Sequence, residues 1–139
     1  MLARHSQFLD CTVVQLLAHL AAATYHPDMG EEFTAALPLQ AVARGTMRAV
    51  TLNGREVLLC HTTNGISAFD NVCSHAFSRM SEGRLRGTRL ICPLHGAIFD
   101  ARDGRVLGPP ATLPLCRHMV RINAGVIHVA VSPPVACEK

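Results

Sequence analysis

The stretch DNVCSHAFSRM at residues 70–80 holds a cysteine and a histidine with one residue between them, and LICPLHGAIF at residues 90–99 holds a second pair with two residues between them. The motif reads C-x-H, then sixteen residues, then C-x-x-H. Two cysteines and two histidines at such short internal spacings predict a metal site. The four candidate ligands are Cys73, His75, Cys92 and His95.

The order of the ligands separates two kinds of metal site. A zinc finger usually places its two cysteines together and its two histidines together, whereas here each loop supplies one of each. A Rieske [2Fe-2S] cluster has one iron held by two thiolates and the other held by two imidazoles, which suits two converging loops. We expect one such cluster per chain, with Cys73 and Cys92 on one iron and His75 and His95 on the other. A zinc-stabilised interaction module, with a structural zinc site, is the alternative.

Composition narrows the class of protein. A chain of 139 residues, 49% apolar and 17% charged, is typical of one folded domain. The net charge of +3 is too small to indicate a nucleic-acid partner. The six cysteines are scattered and include no C-x-x-C pair, so we expect reduced thiols and a cytoplasmic location. Cys60 and Cys116 are predicted to be core thiols.

Residues 1–35 are predicted to form a helical N-terminal extension and a linker. Asp10 is a suitable N-cap for a helix over residues 9–23, whose apolar residues share one face. Crossing a bilayer takes about 20 apolar residues, and this run is shorter and interrupted, so we expect no membrane partner. A signal peptide is the alternative, because Arg4 precedes an apolar stretch.

Short strands and turns follow from residue 36 onward. TMRAVTL and REVLLCH flank Asn53-Gly54, which favours a tight type I′ turn, so they predict a β-hairpin. Turn residues such as Asp103-Gly104 separate further strand-like runs. This spacing predicts antiparallel β-sheets in a sandwich or barrel.

The motif CSH…CPLHG resembles that of the Rieske ferredoxins of bacterial multicomponent aromatic-ring dioxygenases. The resemblance covers residues 36–131, which we take as the Rieske [2Fe-2S] domain, and leaves a tail at 132–139. It implies a mainly β Rieske fold of antiparallel sheets, with loops 73–78 and 92–97 forming a small cluster-binding subdomain. It also implies that the two histidines face solvent and form the exit route for the electron.

The same resemblance implies a soluble one-electron carrier in aromatic hydrocarbon catabolism. Its expected partners are a flavin-dependent ferredoxin reductase and a terminal ring-hydroxylating oxygenase. We expect no catalytic residues and no enzyme activity of its own, since only SPPVACEK follows residue 131 and a domain for a mononuclear iron would need far more. The alternative is a Rieske-type small subunit of an assimilatory nitrite reductase or a similar complex.

Departures from the respiratory type of Rieske protein predict the redox potential. By resemblance, Ser78 and Leu94 replace two cysteines that clamp the loops, and Ala97 and Phe99 replace a serine and a tyrosine that donate hydrogen bonds to the cluster. Without those hydroxyls the reduced cluster is less stabilised, so we expect a potential near about −150 mV.

Docking is predicted at the tip formed by residues 73–79 and 93–98. Arg79 lies four residues beyond His75, so we expect a partner with acidic groups opposite it. The alternative is a mainly apolar contact through Ala76, Phe77, Leu94 and Ala97. His61, His118 and His128 lie in strand-like runs and are expected to be ordinary half-buried or surface residues.

Overall fold

The structure, a computed structural model, describes residues 32–133, which contain ten β-strands and two short 3-10 helices. The 3-10 helices span Leu39–Ala41 and Met80–Glu82. The strands are β1 (Phe33–Pro38), β2 (Met47–Leu52), β3 (Arg55–Thr62), β4 (Gly65–Asp70), β5 (Arg84–Arg86), β6 (Arg89–Ile91), β7 (Ile98–Asp100), β8 (Val106–Gly108), β9 (Arg117–Asn123) and β10 (Val126–Ala130).

The larger sheet has six strands in the order β1-β10-β9-β4-β3-β2, and every neighbouring pair is antiparallel. The predicted hairpin of β2 and β3 is present, with Met47 opposite Cys60 and Leu52 opposite Arg55. Asn53 and Gly54 take φ values of 50° and 79°, as both central residues of a type I′ turn must. The turn chemistry therefore sets the register of this hairpin.

β1 begins at Phe33, within the stretch expected to be a linker, and the domain boundaries stay a prediction. This strand pairs with β10 from Phe33 opposite Ala130 to Pro38 opposite Val126, so the expected linker up to residue 35 includes half of an edge strand. Pro38 is compatible with this place because it ends an edge strand, where a missing N–H costs no ladder hydrogen bond. The predicted helix over 9–23 and residues 134–139 of the tail lie outside the described residues.

The smaller sheet has four strands of three residues each, in the order β5-β6-β7-β8. The chain leaves β4 through the first candidate loop before it enters β5, and the second candidate loop joins β6 to β7. Both loops therefore start from strand ends of fixed register. These two antiparallel sheets confirm the predicted mainly β Rieske fold.

One of two buried apolar clusters lies beneath the candidate loops. Two of its members, Leu90 and Phe99, are fully buried opposite each other on β6 and β7, and each such side chain contributes about 1.5–3 kcal/mol of burial free energy. The same cluster contains Cys73 and Cys92, so the loops are fixed to the core through their cysteines. The second cluster lies within the larger sheet, around Leu59 and Val129. No helix among residues 32–133 has the length and apolar character needed to span a membrane.

Candidate metal centre

The first loop is tied down at its base by Asn71, which is buried. Its side-chain amide donates to the Ser81 hydroxyl at 2.9 Å, and its side-chain oxygen accepts from the Ser81 amide at 2.7 Å. Within the loop, the Cys73 amide donates to the carbonyl of Ser78 at 2.9 Å. These bonds close a tight turn that carries Cys73 inward, at 3% exposure, and leaves His75 on the surface.

The second loop repeats this arrangement. The Cys92 amide donates to the carbonyl of Ala97 at 2.8 Å, and the Gly96 amide donates back to the carbonyl of Cys92 at 3.2 Å. Gly96 has φ +72°, a left-handed conformation that residues with a Cβ rarely adopt, which explains glycine at this position. Cys92 is again buried and His95 is exposed.

The structure brings the four candidate ligands together as two like pairs. The rings of His75 and His95 lie 4.9 Å apart between centroids and nearly perpendicular, at 89°. The thiols of Cys73 and Cys92 lie within hydrogen-bonding reach of each other in the core. Two sulfurs on the protein side and two imidazoles on the solvent side are the donor set that a Rieske [2Fe-2S] cluster uses.

The environments of the two thiols differ. Burial raises the pKa of Cys73, and the adjacent Cys92 thiol adds to this. Burial also acts on Cys92, but donors from the backbone of its own loop, beginning with the Leu94 amide, and from the Ser78 hydroxyl outweigh it, so that the pKa of Cys92 is lowered. Backbone amides aimed at a sulfur stabilise its thiolate, which is the form that binds iron.

A third loop lies against the first. The Ser74 hydroxyl donates to the carbonyl of Leu113 at 2.5 Å, which fixes the proline-containing segment after β8 beside the first loop. Residues 71–78, 92–97 and 107–114 contain no charged side chain. We call the exposed apolar side chains of these three segments the apolar tip, and its large members are Val72, Phe77, Leu94, Leu107 and Leu113.

Phe77 is the most exposed member of the apolar tip, at 104% of its reference surface. An aromatic side chain buries much apolar area when it is covered, so a fully exposed one beside two exposed histidines is typical of a contact surface. The expected apolar docking residues Ala76, Phe77 and Leu94 are all at least partly exposed, whereas Ala97 is fully buried and cannot contact a partner.

One thiol prediction is wrong. Cys116 was expected to be a reduced core thiol, but it is half-buried and disulfide-bonded. Cys60 fits its prediction, since it is a free, fully buried thiol and burial raises its pKa to about 12. A thiol with so high a pKa is inert at neutral pH.

A second group of potential metal ligands lies near Cys116. Side-chain atoms of Asp70, Cys116 and His118 come within 4.8 Å of one another. The disulfide occupies the Cys116 sulfur, and Asp70 already pairs with Arg55 and accepts from His118 at 2.9 Å. This group is therefore a structural network, which sequence patterns did not indicate because Asp70 lies at the end of β4 while Cys116 and His118 lie just before and within β9.

Comparison with known proteins places this site in a family. The family model described as the Rieske [2Fe-2S] domain matches residues 32–125. The chain belongs to this family. Among its relatives, the ferredoxin component of the naphthalene 1,2-dioxygenase system of Pseudomonas aeruginosa is 35% identical over 104 residues, which cover 75% of this chain and all of the relative. The 3-phenylpropionate/cinnamic acid dioxygenase ferredoxin subunit of Photorhabdus laumondii is 38% identical over 78 residues, covering 55% of this chain and 74% of the relative.

Solved structures agree with this assignment. The ferredoxin of carbazole 1,9a-dioxygenase from Nocardioides aromaticivorans superimposes with a TM-score of 0.68 at 27% identity, covering 72% of this chain and 98% of that one. A complex of reduced oxygenase and oxidised ferredoxin in carbazole 1,9a-dioxygenase gives a TM-score of 0.67 at 27% identity, covering 70% and 92% of the two chains. The prediction of a Rieske ferredoxin, an electron carrier, is confirmed.

Proposed function

We propose that this Rieske ferredoxin carries single electrons from a flavin-dependent reductase to a terminal ring-hydroxylating oxygenase. Relatives named as ferredoxin components of dioxygenase systems support this role. They favour it over a subunit of a nitrite reductase. The neighbouring structure in which a ferredoxin is bound to an oxygenase supports the choice of acceptor.

Four residues of this chain would hold the redox group. The buried thiolates of Cys73 and Cys92 would bind one iron of a single [2Fe-2S] cluster, and the exposed imidazoles of His75 and His95 the other. Bound there, the cluster supplies reversible one-electron chemistry. The donor set supports this cluster over zinc. Each loop contributes one cysteine and one histidine, and the two cysteines form one pair while the two histidines form the other.

The exposed histidine pair is the observation that carries the proposal. The sulfur side is enclosed by the core, so a partner can approach only the imidazole side. An electron would therefore pass through the edges of His75 and His95, which no charged side chain of the three loops obstructs. The apolar tip would exclude water from this contact.

The experiment compares two cysteine substitutions. Purified protein should contain iron and labile sulfide in equal amounts and give a rhombic paramagnetic resonance signal on reduction. Cys73→Ser should abolish this signal, since it removes a ligand. Cys60→Ser changes another buried thiol of the same apolar cluster and should keep the signal. Stoichiometric zinc without sulfide, or equal loss in both variants, would contradict the ligand assignment.

The partner assignment needs a separate measurement. Reduced protein mixed with the terminal oxygenase of its own system should be reoxidised within single turnovers, followed by the visible absorption of the cluster. Reduction by the flavin-dependent reductase should likewise need no other protein. A reduced protein that transfers electrons to neither component would refute the proposed route while leaving the cluster assignment intact.

A further inference from the structure

The β5–β6 hairpin places three arginines on one face. Arg86 lies directly opposite Arg89, and Arg84 lies opposite Ile91 on the same side of the hairpin. The alternate pair, Leu85 and Leu90, turns inward to the core. Because side chains alternate along a strand, the arginines all point to the outside, where all three are exposed. We call them the arginine face.

Like charges directly opposite each other in a sheet are destabilising. Within residues 32–133, Arg84, Arg86 and Arg89 form no ion pair. Asp100 is the cross-strand neighbour of Arg89, but its carboxylate is taken by Arg102 at 2.7 Å and by Arg105 at 3.3 Å. Arg86 and Arg89 are therefore a repulsive pair that the acidic residues of the described part of the chain do not relieve.

The arginine face adjoins the candidate metal centre. A groove of about 410 Å³ is lined by Arg84 and Arg86 on one side and by Cys92, Pro93 and Gly96 of the second loop on the other. Glu82 is the one carboxylate of this groove lining. Pro93 and Gly96 belong to the same loop as Leu94 of the apolar tip, so a partner protein bound to the tip would lie next to this groove.

Arg79 is a weaker candidate for docking than the sequence suggested. Its guanidinium pairs with the carboxylate of Glu56 at 3.4 Å, so its charge is already partly balanced. The expectation that Arg79 faces an acidic partner stays a prediction, and such a partner would have to compete with Glu56. Beside the second loop, arginines without an ion pair among the described residues lie on the hairpin instead.

We infer that the arginine face is an electrostatic docking surface for a carboxylate-rich patch on the terminal oxygenase, placed beside the uncharged apolar tip. This inference rests on the proposed function. Charge complementarity selects the partner surface, and continuity with the second loop places it beside the electron exit. Long-range attraction of this kind increases the association rate and fades as salt screens it. The apolar tip then forms the short-range contact, which salt does not weaken.

The test uses reduced, cluster-loaded protein mixed with the terminal oxygenase of its own system in a stopped-flow instrument, across a salt series. The wild-type rate should fall as ionic strength rises. The double variant Arg84→Glu/Arg86→Glu should react at least about tenfold more slowly at low salt and lose most of the salt dependence. Arg44→Glu is the control, with the same charge change per residue. Arg44 precedes Gly45, whose amide donates to the carbonyl of His61, at the end of β3 that is far from the first loop. This variant should leave the rate near wild type.

Two further readouts separate docking from folding and from net charge. Arg86→Glu removes the like-charge pair, so its melting temperature should equal or exceed that of wild type while its rate falls. Arg79→Glu should slow electron transfer less than Arg86→Glu does.

A double variant with wild-type rates would show that the arginines are only a solvated strand face, and an equal slowing by Arg44→Glu would show that net charge alone acts. Slowing with the reductase but not with the oxygenase would overturn the choice of partner. Failure of the wild type to reduce the oxygenase would refute the proposed function itself.

Discussion

Two buried positions beside the candidate ligands should set the redox potential. The carbonyl of Ala97 accepts from the Cys92 amide at 2.8 Å, which closes the second loop, and both Ala97 and Phe99 lie in the same buried cluster as the two cysteines. Both side chains are apolar and fully buried, so neither they nor water can donate a hydrogen bond to the cluster from these two positions. Ala97→Ser and Phe99→Tyr each add one hydroxyl to this environment.

The size of the effect follows from the charge on the acceptor. Reduction adds one negative charge, and a hydrogen bond to a charged group is worth about 1.5–3 kcal/mol against about 0.5–1.5 for a neutral one. The reduced state should therefore gain about 1–1.5 kcal/mol more than the oxidised state from each hydroxyl. Since about 1.4 kcal/mol corresponds to about 59 mV for one electron, each variant should raise the midpoint by roughly 40–60 mV.

Protein-film voltammetry on the two single variants and the double variant measures these shifts. Ala68→Ser is the control, because it adds a hydroxyl at an equally buried alanine of the other apolar cluster. Its midpoint should not move. A double variant whose midpoint matches wild type would mean that positions 97 and 99 do not face the sulfurs, and the low potential would then need another cause.

Three other outcomes can be measured on stability and assembly. A chain that begins at Met29 keeps β1 and should retain its iron, whereas one that begins at residue 39 loses the β1–β10 ladder and should unfold at lower urea. Burial lowers the pKa of His118 below 6.5 despite the nearby Asp70, so the unfolded state binds the proton more readily than the folded state. The free energy of unfolding measured in urea should therefore be constant above about pH 7 and fall as the pH drops through 6.5. A hydrogen bond from Arg102 helps to lower the pKa of Asp100 from 3.8 to about 2, so this carboxylate contributes stability above pH 3.8 that is lost on further acidification. Because its arginine partners are solvent-screened, Asp100→Asn should cost only about 1–2 kcal/mol at neutral pH, and an unchanged denaturation midpoint would contradict this.

Most of the candidate site could be predicted from the sequence, because its chemistry is local. C-x-H and C-x-x-H specify ligand types within a few residues, and each loop closes on hydrogen bonds of its own backbone. The β2–β3 hairpin was predicted for the same reason, since Asn53 and Gly54 define its turn. Local patterns of this kind can be recognised in the sequence without knowledge of the rest of the fold.

Several features that the sequence did not predict involve residues from separate elements of the fold. β1 was overlooked because FTAALP shows little alternation and its partner, β10, is nearly the whole domain away. The pairing of Arg79 with Glu56 joins the first loop to β3, and no spacing rule predicts it. Asn71 and Ser81 are another such case, since their mutual hydrogen bonds depend on how the loop returns toward the sheet.

The burial of the ligands separates two properties that a ferredoxin must set. Potential should depend on groups buried in the apolar cluster that holds both cysteines, such as those at positions 97 and 99, while docking should depend on exposed groups around the histidines. The hydroxyl variants should therefore change the midpoint and leave the salt dependence of electron transfer unaltered, and Arg86→Glu should do the reverse. If Arg86→Glu lowered the midpoint potential by as much as each hydroxyl variant is expected to raise it, the charge on the hairpin would be acting on the cluster through the protein. Potential and docking would then not be set separately. Solvent screening at exposed sites makes us expect a much smaller shift.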